Sequence, residues 1–258
     1  MEFYKLNEVQ FILFALTLIR MSALFVAWPV FGEAQLPVPV KILSALAVTF
    51  LVFPTITVPR SSIDQLDQTL IMMVVREILI GLLIGYLARF FFFAFAMAGE
   101  IISVSMGLAS AQIFNPSLGA QSTSTAQFYL TLASLFFLST NGHHLLLSGL
   151  VDSYRILPIS DVWFSRQEFY NFAVSGQNIL LIGVKLSAPV LISILVVNFV
   201  LGIAGKTVPQ MNVLVTSFAV NIFVGFAILM VSLPMFLDQM NSVLQITSEA
   251  LFKFMRAI

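Results

Sequence analysis

From Val208 to Leu237 no residue is charged, and from Ile101 to Val151 there is again no Asp, Glu, Lys or Arg. Uncharged runs of that length do not supply the polar surface a water-soluble fold needs. In lipid they must satisfy their own backbone hydrogen bonds, which leaves spanning helices or closed barrel strands. Composition extends the constraint to the whole chain. Of 258 residues, 59% are hydrophobic and 9% charged, against about 25% charged in an average soluble domain. Mean hydropathy is +1.01. These values describe an integral membrane protein. The 12 basic and 12 acidic residues balance to zero net charge, which leaves no basic face for nucleic acid. Cys is absent, which removes disulfides, thiolate catalysis and Cys-type metal sites. A soluble enzyme, a nucleic-acid binder, a disulfide scaffold and a disordered tail are thereby excluded.

The gaps between charges map the segments, since about 20 apolar residues span a bilayer as helix. Six segments emerge: Val9 to Val30, interrupted by Arg20; Ile42 to Val58; Leu70 to Ala98, carrying Arg76, Glu77 and Arg89; Phe128 to Leu150; Gln177 to Ala204, with Lys185 inside; and the uncharged Asn212 to Leu237. A barrel strand would alternate apolar and polar residues. Ile78–Leu83 and Phe90–Phe93 are apolar at every position, so the expected class is all-α. The N-terminal run lacks a signal-peptide pattern: Glu2 and Glu8 dilute Lys5, and no clean small-x-small site follows Arg20. Prolines mark the connections, with Pro158 in the longest polar stretch, Asp152 to Gly176. Pro189 is expected to kink the fifth segment and Pro234 to bend or end the sixth. On a six-span count, Lys5, Arg60, Arg155, Arg166, Lys253 and Arg256 share one side, and the positive-inside rule puts both termini in the cytoplasm.

One stretch is neither charged nor lipid-like. Ser103 to Gln127 is rich in Ser, Thr and Gln, and Gln112-Ile113-Phe114-Asn115-Pro116-Ser117-Leu118-Gly119 cannot continue a helix. Asn115 precedes a proline and is pushed to extended geometry, and Pro116 with Gly119 reads as a turn. Ser122 to Thr125 offers a cap for the next helix. The plain reading is an extramembrane loop. The sharper one is a loop inside a protein-lined cavity, where non-helical backbone is tolerated at membrane depth. Neutral polar side chains with Phe114 and Met106 as bulk suit a plug or constriction that offers no charge to trap a passing chain.

Arg20, Arg76, Glu77, Arg89, Glu100 and Lys185 sit in or beside apolar segments. A charge there faces protein or water, as an interhelix ion pair or as a relay. Arg76 and Glu77 are helix neighbours pointing about 100° apart. Arg89 and Glu100 would be separated by about 16 Å along a helix. Neither pair forms a carboxylate relay. His143 and His144 lack further ligands for a metal and are expected to sit at a helix start near Asn141-Gly142 and bond locally. Gly81-Leu82-Leu83-Ile84-Gly85 is a small-xxx-small pattern that permits close helix approach, extended by Gly99. No phosphate loop, Ser/His/Asp set or metal signature is present, so neither catalysis nor a cofactor is expected.

Taken in order, Arg76-Glu77-Ile78-Leu79-Ile80-Gly81, Ala98-Gly99-Glu100-Ile101-Ile102, Met106-Gly107-Leu108, Asn115-Pro116, Asn141-Gly142-His143 and Leu157-Pro158 resemble the FliR family of flagellar export-gate proteins, which is shared with the T component of virulence type III secretion. The resemblance also takes in Arg20, the Pro37 to Lys41 turn and the Asn198 to Pro209 segment, and so covers nearly the whole chain.

The resemblance implies a non-enzymatic subunit of the flagellar type III protein export gate in the bacterial inner membrane, within the flagellar basal body. Its helices would be tilted, broken hairpins in a helical, cone-shaped hetero-oligomer. Residues 1–175 would be similar to a FliP-type partner and residues 176–258 to a FliQ-type partner, with FlhB-type and FlhA-type export components alongside. Unfolded flagellar subunits would pass through the centre. The plug would correspond to Met106 to Thr123, within a loop of residues 103–127 and centred on Phe114. The family architecture directs both termini to the periplasm, against the count of basic residues. A secondary transporter or small channel of the inner membrane is the alternative.

Overall fold

The computed structural model describes residues 2–28, 37–56, 66–109, 123–159, 166–207 and 212–257. These form seven α-helices: α1 (Glu2–Ala27), α2 (Val38–Val52), α3 (Leu66–Met106), α4 (Ser124–Ser139), α5 (Gly142–Ile156), α6 (Arg166–Thr207) and α7 (Val213–Ala257). A 3-10 turn, Phe53–Thr55, follows α2. No strand occurs among the described residues.

The chain divides into two compact units built from non-contiguous stretches. The first comprises Met1–Phe90, Asn141–Ser175 and Ile246–Ile258; the second comprises Phe91–Thr140 and Gly176–Gln245. In the first unit the core stripe of α1 includes Leu16, Met21, Leu24 and Ala27, and that of α3 includes Ile80, Ile84 and Leu87. Both recur at helical spacing. Phe14 packs on Phe50 and Phe53 with ring centroids 5.1 and 5.4 Å away, which ties α2 and its 3-10 turn to α1. In the second unit an aromatic cluster forms the centre. Phe91 and Phe95 are fully buried on α3. Phe236 of α7 meets Phe95 at 5.2 Å and Tyr129 of α4 at 4.3 Å. The Phe90–Phe93 run is therefore split by helical geometry: Phe91 and Phe92 face the core, whereas Phe93 is exposed.

Five helical stretches among the described residues are long and apolar enough to cross a membrane: Val9–Ala27, Val38–Thr55, Leu70–Met106, Phe169–Thr207 and Val213–Met255. The expected fourth span, Phe128 to Leu150, is broken. Asn141 adopts φ 57° and ψ 29°, the left-handed region, and separates α4 of 16 residues from α5 of 15. Each is about 24 Å long or less, short of the roughly 30 Å hydrocarbon core. Two boundaries also differ from expectation. The segment Arg166 to Gly176 is the start of α6 rather than connecting chain. Pro234 does not end α7, which continues to Ala257. A buried stripe of Met240, Val243, Thr247, Leu251 and Phe254 at spacings of three and four carries the helix beyond the proline. Pro189 likewise lies inside the continuous α6.

Candidate functional site

Two polar constellations stand out in this apolar chain, one in each unit, and each can be built from its residues.

In the first unit, Arg20 of α1 and Glu77 of α3 each occupy the middle of an apolar stripe. Neither charge could remain there without the other. Their side chains are 0% and 1% exposed. Arg20 Nε donates to Glu77 Oε2 at 2.5 Å and Nη2 donates to Oε1 at 2.9 Å, a two-pronged pair. The remaining reach of the guanidinium goes to the end of α5. Nη1 donates to Ser153 Oγ at 3.2 Å and Nη2 to the Leu157 carbonyl at 3.1 Å. Leu157 is the residue that terminates α5, so a cation sits where the helix dipole is negative. The guanidinium carbon lies 4.1 Å from the Tyr154 ring centroid. The Tyr154 hydroxyl in turn donates to the Thr17 carbonyl, one turn before Arg20, at 3.3 Å. A single ionic centre thus joins α1, α3 and α5.

Close backbone approach makes that centre possible. A Cβ on Gly81 would overlap the Arg20 carbonyl oxygen and the Ala23 Cβ, and one on Gly85 would overlap the Ala27 Cβ. Glu77, Gly81 and Gly85 share one face of α3 at i, i+4 and i+8. The charge and the two glycines therefore act on the same stretch of α1.

In the second unit, α3 ends in a Schellman arrangement. Gly107 has φ 81°. Its N–H bonds the Val104 carbonyl at 3.1 Å, and the Leu108 N–H bonds the Ser103 carbonyl at 3.0 Å. Met106, the last helical residue, is fully buried, and its side chain fills the space a Cβ on Gly225 of α7 would need. The chain is described again at Thr123, which caps α4 by accepting the Ala126 N–H at 3.4 Å. The Thr123 N–H donates to Glu100 Oε1 at 3.1 Å, and the Thr125 hydroxyl donates to the Gly99 carbonyl at 2.9 Å. Gly99 faces Ala126 so closely that a Cβ would overlap the Ala126 backbone. Ser103–Met106 and Ser124–Gln127, expected within the 103–127 loop, are thus helical. Gln112, Ile113, Phe114, Asn115, Pro116, Ser117, Leu118 and Gly119 lie outside the described residues.

The other charges expected to matter are dispersed. Arg76 and Arg89 are half-buried on α3, and Lys185 is exposed on α6. His143 and His144 open α5 with ring centroids 4.2 Å apart. Asn141 accepts the His144 N–H at 3.0 Å through its carbonyl. Among the described residues no group of three or more His, Cys, Asp or Glu could hold a metal ion.

Sequence reasoning passed over Ser153, Tyr154 and Thr17, whose roles depend on Arg20 arriving from a distant helix. It also passed over Asn198 and Asn221. Asn221 Nδ2 donates to Asn198 Oδ1 at 2.9 Å and joins α6 to α7. An amide in each of two apolar spans was the available signal.

Comparison with known proteins agrees with the family that the sequence resembles. The family described as Bacterial export proteins, family 1, matches residues 11–246. The chain is 35% identical over 241 residues to the flagellar biosynthetic protein FliR of Bacillus subtilis (strain 168), covering 92% of each. It is 31% identical over 218 residues to FliR of Escherichia coli (strain K12), covering 84% of this chain and 83% of that one. With FliR of Aquifex aeolicus (strain VF5) it shares 26% identity over 242 residues and 92% of each chain. With matches of this extent, the chain belongs to the FliR family of bacterial export proteins.

Proposed function

We propose that this chain is a non-enzymatic membrane subunit of the flagellar type III export gate. In this reading it forms, with FliP-type and FliQ-type subunits, the channel through which unfolded flagellar subunits cross the inner membrane. FlhB-type and FlhA-type components adjoin it. The observation that carries the reading is the match to flagellar FliR proteins over 92% of the chain. The five apolar helical stretches support membrane insertion. Residues 1–175 and 176–258 correspond in this reading to FliP-like and FliQ-like parts, and both termini face the periplasm.

The charges have two kinds of role. Arg20 and Glu77 are engaged within the chain, so their contribution to assembly is to hold α1, α3 and α5 in the form a neighbour can bind. Arg76, Arg89 and Lys185 lie on apolar helices, where the cost of a charge in lipid favours protein surroundings. Co-purification tests the reading. The chain should leave the membrane in a large fixed-ratio complex with FliP-type and FliQ-type subunits. Recovery alone or as a small homo-oligomer would favour the transporter alternative instead.

Within the gate, the uncharged segment from Met106 to Thr123 seals the resting channel, with Phe114 as its main steric element. A passage wide enough for a polypeptide leaks ions unless bulk or an apolar constriction closes it. Deleting residues 113–119 should raise the closed-state conductance of the assembled complex in a planar bilayer, and Phe114→Ala should do so more weakly.

A further inference from the structure

Glu100 is the single charged residue between Arg89 and Asp152, and its carboxylate meets the backbone at the start of α4. The N-terminal turn of a helix leaves backbone N–H groups without partners. In the usual capping box, a Glu or Gln three residues after the cap accepts the N–H of the capping residue. Here the cap is Thr123, and that position is Ala126, which has nothing to offer. The missing acceptor comes from another helix: Glu100 Oε1 of α3 takes the Thr123 N–H at 3.1 Å. The Thr125 hydroxyl adds a second bond to the Gly99 carbonyl at 2.9 Å. Gly99, Thr125 and Ala126 approach too closely for any side chain at position 99.

The departing end is fixed as well. Gly107 closes α3 in the left-handed conformation with Phe218 against it, and Met106 is seated on Gly225. The chain leaves α3 at Gly107 and is gripped again at Glu100, about 10 Å back along the same helix.

We propose that Glu100 is the positioning residue of the polar segment: with the Gly99 carbonyl it forms a clasp on Thr123 and Thr125 that fixes the segment's two ends relative to each other. The clasp needs an acceptor at Glu100 rather than a charge for a neighbouring subunit. It explains why one carboxylate occurs in a stretch otherwise free of charge. The inference rests on the reading of that segment as the channel seal.

Three variants of the intact complex test it: Glu100→Ala, Glu100→Gln, which keeps the Oε1 acceptor, and deletion of residues 113–119. Two quantities are read, closed-state conductance in a planar bilayer and amide exchange over Thr123 to Ala126. Glu100→Ala should raise conductance toward that of the deletion and speed amide exchange by about tenfold or more, the worth of one hydrogen bond to a charged group. Glu100→Gln should restore both most of the way, falling short by the difference between a neutral and a charged acceptor. Unchanged conductance and exchange in Glu100→Ala, while the deletion leaks, would overturn the clasp and leave the seal standing. Loss of complex in Glu100→Gln would overturn it in favour of an ion pair with another subunit. If the deletion itself does not leak, the seal reading falls. The clasp is then judged on exchange alone, where acceleration in Glu100→Ala with recovery in Glu100→Gln supports it and no change overturns it.

Discussion

The backbone carbonyl of Arg20 stands where a Cβ on Gly81 would have to be. The atoms around that point, the Arg20 carbonyl, the Ala23 Cβ and the Leu24 nitrogen, belong to or lie beside the main chain of α1 and cannot swing away. Gly81→Ala should therefore lower the stability of the folded chain by about 1–3 kcal/mol, and Gly81→Val by more. Gly202 provides the control, because nothing lies within 4 Å of a Cβ there. Gly202→Ala should be neutral or stabilising by up to about 1 kcal/mol, as a helix gains from exchanging Gly for Ala. Thermal unfolding in detergent, followed by helical signal, checks both.

Removing one member of the buried pair should cost more than removing both. Glu77→Ala leaves a guanidinium without its counter-charge in an apolar core, a loss of about 3–5 kcal/mol. The double variant Arg20→Met, Glu77→Leu removes both charges at similar volume and should recover most of that stability. The yield of folded chain extracted from membranes reports the order. A double variant as poorly folded as Glu77→Ala would mean that the charges themselves are needed beyond their mutual neutralisation.

At the end of α3, Gly107→Ala would impose a side chain on a left-handed residue, at a cost of about 1–2 kcal/mol, and would also press on the Phe218 ring. Adding Phe218→Ala should relieve the steric part and leave the conformational part. The cost of Gly107→Ala measured in the presence of Phe218 and again in a Phe218→Ala background, read from unfolding midpoints, separates the two contributions.

Five crossing segments, being an odd number, would place the termini on opposite sides of the membrane. Same-side termini therefore require at least one of the five not to cross completely. The chain has no native Cys, so one introduced thiol reports its own position. Thr207→Cys, at the C-terminal end of α6, should resist an impermeant reagent added outside intact cells and react once the inner membrane is opened. Ready labelling from the periplasm would contradict the cytoplasmic placement expected of Thr207.

Much of the helical scaffold is legible in the sequence because lipid imposes a simple rule: apolar runs without charges become helices. The rule fails where helices carry charges on one face. The end of α7 contains Asp238, Glu249 and Lys253, yet its stripe from Met240 to Phe254 is buried. A helix start beside Asn141-Gly142, a turn dipeptide, was legible, but the surrounding apolar residues also read as one continuous span from Phe128 to Leu150. Each charge in an apolar segment announced its need of a partner. That Arg20 would choose Glu77, 57 residues away, with Ser153 and Tyr154 closing around it, depends on how three helices meet, which no local pattern encodes. Glu100 was legible as a charge in an apolar setting, but its service to Thr123 was not, since capping partners are usually sought within the same helix.

Membership in a working export gate is tested most directly by the secretion of flagellar subunits. In cells lacking this chain, flagellar subunits should be synthesised but absent from the medium. Re-expressing the intact chain should restore their secretion, and a chain carrying Glu77→Ala should restore much less. Undiminished secretion of flagellar subunits in cells lacking the chain would contradict the account.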